Sequence, residues 1–444
     1  MKNKLIIALA FFTSVIQAQV KELTLKDALQ YALENKTDAK KAKLDVENSS
    51  HQIAEVRAMA LPQINLNGGL TYNPILQKSA LPGDLLGAPG QVILVPFGQE
   101  WNSTAVASLS QNLFNQSVFT GLKAAKTTRE FYQVNQQLTE EQLIEKVSSS
   151  YYQVYVYQQK LKNAESNLES TKKVKDIITG QYQNGLARKI DLDRISVKVS
   201  NLEAIKLQLI NAVQLQENTL KFFIGMPMDQ QIKLPINTMD VTALAFEQTT
   251  EVSKRTEMAV LRKQEELLGF KKKSFLAEYY PSLSLTANYG YQGLGAKMPW
   301  FVKPADGVYW TNFSSIGLNL NVPVFNGFST RSRVRQAEVS LKKIQEDIKD
   351  TELALNYQFE NAKTQINNSV INVSTQEQNM KLAKEVLDNT KNNYLNGLAT
   401  LTELLDAENA LTEAQNNFTT AQLEYKLAEI QIIKSKGELK NLLN

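Results

Sequence analysis

The chain has 444 residues, enough for two domains or one doubled architecture, and its 49 Lys and Arg against 45 Asp and Glu give no bias toward nucleic acid or a strongly acidic partner. It contains no cysteine and a single histidine, His51, so a disulfide framework, an acylated N-terminal cysteine and zinc or iron sites built on His and Cys are excluded by inventory. A nucleophile in need of a histidine base would have only that residue, which sits beside Gln52 in a polar helical stretch and reads as a surface residue.

The chain opens MKNKLIIALAFFTSVIQA, with Lys2 and Lys4 ahead of an apolar run over 5–16 and Ala18 before Gln19. That pattern predicts a secretory signal peptide over 1–18, too short for a spanning anchor. Beyond it no stretch approaches 18 consecutive apolar residues, so strands are the only route by which this chain can enter a membrane.

From residue 19 the sequence reads as two similar halves, 19–224 and 251–444, joined by a connector over 225–250 in which Pro227 and Pro235 break both periodicities. The stretch LTLKDALQYALENKTDAKKAKLDVENSSHQIAEVRAMALPQINL (23–66) has a partner in RTEMAVLRKQEELLGFKKKSFLAEYYPSLSL (255–285), and Pro62 and Pro281 end the two helical segments alike. LSQNLFN at 109–115 answers LNVPVFN at 320–326, and each leads into a long helical stretch. Each half thus reads helix, strand, loop, strand, very long helix, turn, helix.

Period-two alternation predicts strands over 62–72, 101–113, 281–291 and 308–324. Leu66 and Tyr72 alternate with polar residues in the first, as do Leu283, Leu285, Tyr289 and Tyr291 in the third, and Trp310, Ile316, Leu318 and Leu320 in the last. A soluble sandwich gives the same alternation, so the pattern alone leaves both readings open. Pro- and Gly-rich stretches near 74–100 and 293–308 read as loops joining each pair.

Residues 122–179 and 328–396 contain neither Gly nor Pro. A helix of such length runs on the order of 100 Å and must pack along its length on other long helices. Leu411, Phe418, Tyr425, Ile432 and Leu439 recur every seven residues, with Ala414, Ala421, Ala428 and Ser435 on a neighbouring line. Val147, Val154, Leu161 and Leu168 form the matching line of the first long helix, with Ser150, Ala164 and Thr171 beside it. A large-and-small heptad seam of this kind is knobs-into-holes packing with close helix approach.

Each long helix ends in the same words, YQNGLA at 182–187 and YLNGLA at 394–399. Gly185 and Gly397 predict left-handed helix caps. The acids Asp191 and Glu403 stand six residues beyond the two glycines, with Asp406 one turn further. Thr400 and Glu403 have the spacing of a capping box, and Asp191 and Asp406 suit the positive end of a helix. GQYQNGLA has the glycine spacing of a phosphate loop, but Leu186 and Ala187 replace its Lys and Ser/Thr.

In the order and doubling of LTLKDALQYALENKTDA, ALPQINL with YPSLSL, VPVFNGFSTRSRVRQAE, QYQNGLARKIDL and NYLNGLATLTELLDAENAL, the chain resembles the TolC-type outer-membrane efflux proteins over its mature length. The resemblance implies an α+β membrane protein without enzymatic activity or cofactor. Its long antiparallel helical hairpins would form an α-barrel, and its four transmembrane strands per chain would close a twelve-stranded β-barrel in a homotrimer. It implies partnership with a periplasmic adaptor (membrane fusion) protein, an inner-membrane pump of RND or ABC type and outer-membrane lipid, and none with nucleic acid. It places Asn184, Gly185, Leu186 and Ala187, with Asn396, Gly397, Leu398 and Ala399, at adaptor-docking turns. Asp191, Glu403, Asp406 and Tyr394 fall at the pore constriction of the periplasmic tip, and three carboxylates about one axis would make a cation-selective ring. For Glu403 the cap and the ring stand as equal readings. Leu66, Tyr72, Leu283, Leu285, Tyr289, Trp310 and Leu318 would face lipid. One departure stands out: the arginine that family members carry just after the second turn glycine is here Ala399 or Thr400, while Arg188 and Lys189 sit after the first. The competing expectation is a periplasmic coiled-coil adaptor or scaffold, which keeps the heptads but has no use for the strands.

Overall fold

The computed structural model describes residues 22–82, 84, 87, 89–235, 251–302 and 307–443. The signal peptide expected over 1–18 and most of the expected connector, 236–250, lie outside the described residues. In chain order the elements are α1 (Leu25–Asn35), α2 (Thr37–Ala58), β1 (Gln63–Tyr72), β2 (Lys78–Pro82), β3 (Val92–Pro96), β4 (Trp101–Phe114), α3 (Gln116–Gln183), α4 (Lys189–Ile224), α5 (Thr256–Ala277), β5 (Ser282–Gly295), β6 (Val308–Asn321), α6 (Ser329–Leu395) and α7 (Leu401–Lys436). The two longest helices have 68 and 67 residues and each is followed by one of 36. No described helix is long and apolar enough to cross a membrane.

The chain divides into two compact units, and α3 and α6 contribute to both. The first comprises Met1–Leu44, Val134–Ala259 and Lys349–Asn444. It is helical, and its largest core joins α1, α3, α4 and α7 through Ala28, Leu29, Val147, Tyr151, Val154, Leu220, Ile224 and Ile430, all close to fully buried. The Tyr151 hydroxyl donates to the Leu23 carbonyl at 2.9 Å, which satisfies the one polar atom this side chain brings inside. Most of the predicted seam is buried: Val147, Val154, Leu168, Leu411, Tyr425, Ile432 and Leu439 face inward, with Ala414, Ala421, Ala428 and Ser435 on the line beside them, while Leu161 and Phe418 are half-buried. Helix α4 stops at Gly225, whose φ of 74° puts it in the left-handed region. A side chain there would meet the backbone of Asn35 and Lys36 at 3.1 Å, so both the turn and the close approach require glycine.

The second unit comprises Asp45–Gln133 and Val260–Ile348. Its strands form one antiparallel sheet in the order β1-β4-β5-β6. Between β1 and β4, where the sequence predicts only a loop over 74–100, β2 and β3 pair as a separate two-stranded hairpin. KSALP and VILVP are short and their partners lie across a Gly- and Pro-rich turn, so neither run shows enough alternation to be read alone. The helices of this unit are tied by ion pairs, Lys263 to Glu130 at 2.6 Å and Lys272 to Glu338 at 2.9 Å, and Lys263 also pairs with Glu266 of its own helix at 3.0 Å.

Candidate functional site

The repeated words at the helix ends fold into the same object twice. After α3, Gly185 has a φ of 75°, Leu186 N–H donates to the Gln181 carbonyl at 2.8 Å and Gly185 N–H to the Tyr182 carbonyl at 3.0 Å. After α6, Gly397 has a φ of 73°, Leu398 N–H donates to the Asn393 carbonyl at 2.8 Å and Gly397 N–H to the Tyr394 carbonyl at 3.0 Å. This paired bonding is the Schellman cap, and it needs a residue at ease in the left-handed region. The asparagine before each glycine adds one more bond: Asn184 Nδ2 donates to the Gly180 carbonyl at 2.7 Å and Asn396 Nδ2 to the Asn392 carbonyl at 2.8 Å. With the backbone satisfied internally, Leu186 and Leu398 stand 80% and 78% exposed. Ala187 packs beside a small core of Val174, Ile178, Ile195, Leu401 and Leu404, and Ala399 is half-buried.

The acids after the turns occupy three different settings. Asp191 is held by Arg188, whose guanidinium reaches it twice, at 2.9 and 3.2 Å, within one helical turn. Glu403 completes a capping box: its carboxylate accepts from Thr400 N–H at 2.7 Å, and Glu403 N–H donates to the Thr400 hydroxyl at 3.3 Å. Those donors hold its carboxyl below the usual value, the Thr400 amide more than the hydroxyl. Asp406, one turn on, is exposed and has no hydrogen bond or ion pair among the described residues. Tyr394 is half-buried on the same small core, and burial, with the nearby Asp191 charge as a second cause, raises its hydroxyl.

Further along these helices lies a polar layer that sequence reading passed over. Asn167 Nδ2 on α3 donates to Thr412 Oγ1 and Gln415 Oε1 on α7 at 3.1 and 3.2 Å. Arg194 on α4 reaches Thr402 at 3.1 Å, and Lys198 pairs with Asn409. At the centre is Glu408, 7% exposed and 3.2 Å from the Thr171 hydroxyl. A cavity of about 20 Å³, with room for one water, opens beside it between Lys198, Leu387 and Leu411. Burial pushes the Glu408 carboxyl up, opposed by the Thr171 hydroxyl, Lys198 and Lys391. The signal was present: Glu408 lies four residues after Leu404, three before Leu411 and next to Ala407 of the small-residue line, so a carboxylate flanks the seam.

In the second unit the register sorts the strands into two faces, because residues directly opposite in an antiparallel pair point the same way. Leu66 lies across from Ala107, which lies across from Tyr289, which lies across from Ser314. Leu285 faces Leu318, Leu283 faces Leu320, Tyr291 faces Asn312, and Tyr72 faces Trp101. Leu66, Tyr72, Leu283, Leu285, Tyr289, Trp310 and Leu318 therefore share one face. That face is open: Leu66 is 77% and Leu318 67% exposed. Aromatic pairs mark one end of it, Tyr72 stacked on Trp101 at 4.5 Å and Tyr291 on Trp310 at 5.0 Å. Trp300 donates its indole N–H to Ser103 there at 2.7 Å, an anchor no alternation could reveal. The opposite face carries Asn65, Thr104, Ser108, Thr286, Asn288, Thr311, Ser315 and Asn319, with Phe313 laid over Gly290.

Comparison with known proteins matches residues 28–226 and 273–438 to the family described as outer membrane efflux protein. Among curated relatives, the outer membrane protein TolC of Vibrio cholerae is 22% identical over 396 residues, covering 87% of this chain and 84% of that one. The outer membrane protein TolC of Escherichia coli is 20% identical over 446 residues, covering 98% and 85%. Among solved structures, the outer membrane protein VceC of Vibrio cholerae superposes with a TM-score of 0.74 at 18% identity, over 93% of this chain and 96% of that one. The fold described above is thus shared with a solved outer membrane protein. With both matched segments together covering most of its length, the chain belongs to the outer membrane efflux protein family.

Proposed function

We propose that three copies of this outer-membrane efflux protein share one barrel, each contributing β1, β4, β5 and β6 to a total of twelve strands. The observation that carries this reading is a sheet with one apolar face and two unpaired edges, β1 and β6. In hydrocarbon an open edge leaves backbone N–H and C=O groups without water or partner, so β6 of one copy pairs with β1 of the next. The polar face then lines an aqueous lumen. The long hairpins continue the path through the periplasm, and the whole is a passive duct from periplasm to exterior, without catalysis of its own.

Energy comes from an inner-membrane pump of RND or ABC type, coupled through a periplasmic adaptor. The exposed Leu186 and Leu398 on their rigid turns suit that adaptor contact, since apolar side chains without local partners are what a docking surface needs. Asp406, exposed and unpaired among the described residues, is the strongest member of the carboxylate ring at the constriction. Glu403 serves there as a cap first, and Asp191 is partly neutralised by Arg188. The arrangement as an adaptor or scaffold is set aside, because membership in the efflux family accounts for the sheet and the hairpins together.

Fractionation tests the assignment. The expected result is recovery from outer membranes as a heat-labile trimer with stepwise conductance in planar bilayers. Recovery as a soluble monomer would overturn it.

A further inference from the structure

Within the second unit, a concavity of about 250 Å³ lies between the start of α3 and the end of α5. Its upper wall is apolar: Phe119, Leu276 and Tyr280 are 53%, 38% and 56% exposed. Its lower part carries two ammonium groups, Lys123 and Lys273. Three other cations of this unit are held in ion pairs: Lys263 by Glu130 and Glu266, Lys272 by Glu338, Arg333 by Glu278. Lys123 and Lys273 have no ion pair among the described residues, and Lys273 rests over the Phe270 ring at 5.1 Å. Two ammonium groups that line one hollow, with Glu266 as the carboxylate that feels Lys273, make a surface complementary to an anion.

The direction of the apolar wall identifies which anion. Phe114 ends β4 directly across from Leu283, on the apolar face of the sheet. Its ring lies 6.3 Å from that of Phe119, so the apolar face runs without a break into the concavity. Lys123 follows one turn beyond Phe119, about 6 Å along the axis, and side chains on α3 tilt toward its N-terminus, which is the strand end. The headgroup layer adds roughly 5–8 Å to each side of a bilayer's hydrocarbon core.

We infer that the concavity binds an anionic phospholipid of the leaflet facing the periplasm, its acyl chains along Phe114, Phe119 and Leu283 and its phosphate between Lys123 and Lys273. This rests on the reading of the sheet as a membrane barrel.

The test uses the full-length protein reconstituted in nanodiscs of phosphatidylcholine with or without phosphatidylglycerol, read by native mass spectrometry and by lysine acylation. The parent is expected to retain phosphatidylglycerol over phosphatidylcholine and to protect both lysines when it is present. A Lys123→Gln/Lys273→Gln double variant is expected to lose that preference about tenfold, on the scale of a charge-assisted contact, with trimer yield and conductance unchanged. Lys126→Gln, exposed on the same helix outside the hollow, is expected to behave as the parent. Equal retention by parent and double variant overturns the site. So does protection by inorganic phosphate alone to the same degree, which assigns a free anion, and so does protection in pure phosphatidylcholine, which assigns a neighbouring copy. Failure of the barrel reading is distinguishable, because a parent that does not enter outer membranes or discs shows it before any lipid is compared.

Discussion

Glu408 on α7 lies 3.2 Å from the Thr171 hydroxyl on α3, and Thr171 Oγ1 also stands 2.8 Å from its own helix carbonyl at Asn167. A hydroxyl has one hydrogen, and the nearer carbonyl is the better acceptor. Thr171 thus stands between two acceptors, and the part of its hydrogen that Glu408 receives opposes the burial that raises that carboxyl.

The stability of the helical unit depends on pH through Glu408. Its carboxyl is raised above the ordinary value of 4.5 in the folded chain. The contribution is present at low pH and is lost as pH rises from 4.5 through the raised value. Glu408→Gln, which keeps the hydrogen-bonding shape without the charge, is expected to raise the protein's unfolding temperature near neutral pH and to flatten its pH dependence. Thr171→Val is expected to cost about 1–2 kcal/mol by stranding a buried carboxyl. A Glu408→Gln profile that parallels the parent would show that the group does not titrate in this range.

Glu403 carries the opposite sign. Its carboxyl is held below 4.5 by the Thr400 amide and hydroxyl, so its contribution is present above that value and lost as pH falls through the lowered one. Thr400→Ala is expected to cost about 1 kcal/mol as a lost cap. Asp406→Asn, with no described partner to lose, is expected to leave thermal stability unchanged and to reduce cation selectivity in single-channel recordings. Equal selectivity in Asp406→Asn and parent channels would remove Asp406 from the constriction.

At the two hairpin turns, backbone and side chain can be separated. A methyl group at Gly185 or Gly397 meets nothing within 4 Å, so Gly397→Ala carries only the cost of the left-handed conformation, about 1 kcal/mol. Leu186→Ser and Leu398→Ser are expected to leave the unfolding temperature in place and to weaken adaptor capture in pull-downs. Unchanged capture by the double leucine variant would place the adaptor elsewhere.

The two faces of the sheet predict opposite tolerance. Leu318→Arg, on the apolar face, is expected to cost about 2 kcal/mol or more in a bilayer and to block outer-membrane assembly. Asn319→Arg, next in the chain and on the polar face, is expected to assemble and change only conductance. Assembly assays in cells read both, and equal loss would mean that the faces are assigned the wrong way round.

Much of this protein is written in local periodicities. The Gly- and Pro-free runs become α3 and α6, the heptad lines become the buried seam, and the doubled NGLA words become two matching caps, because turn, helix and strand signals act between residues close in sequence. Seven alternating residues on three strands fall on one face for the same reason: period two fixes the side, whatever the partner. Tertiary structure alone decided how Thr171 meets Glu408 across 237 positions, and that Trp300 bonds Ser103. Those contacts depend on which distant surfaces meet and on the depth of burial there. A carboxylate beside a seam looks identical in sequence to one in water, and only packing raises its pKa.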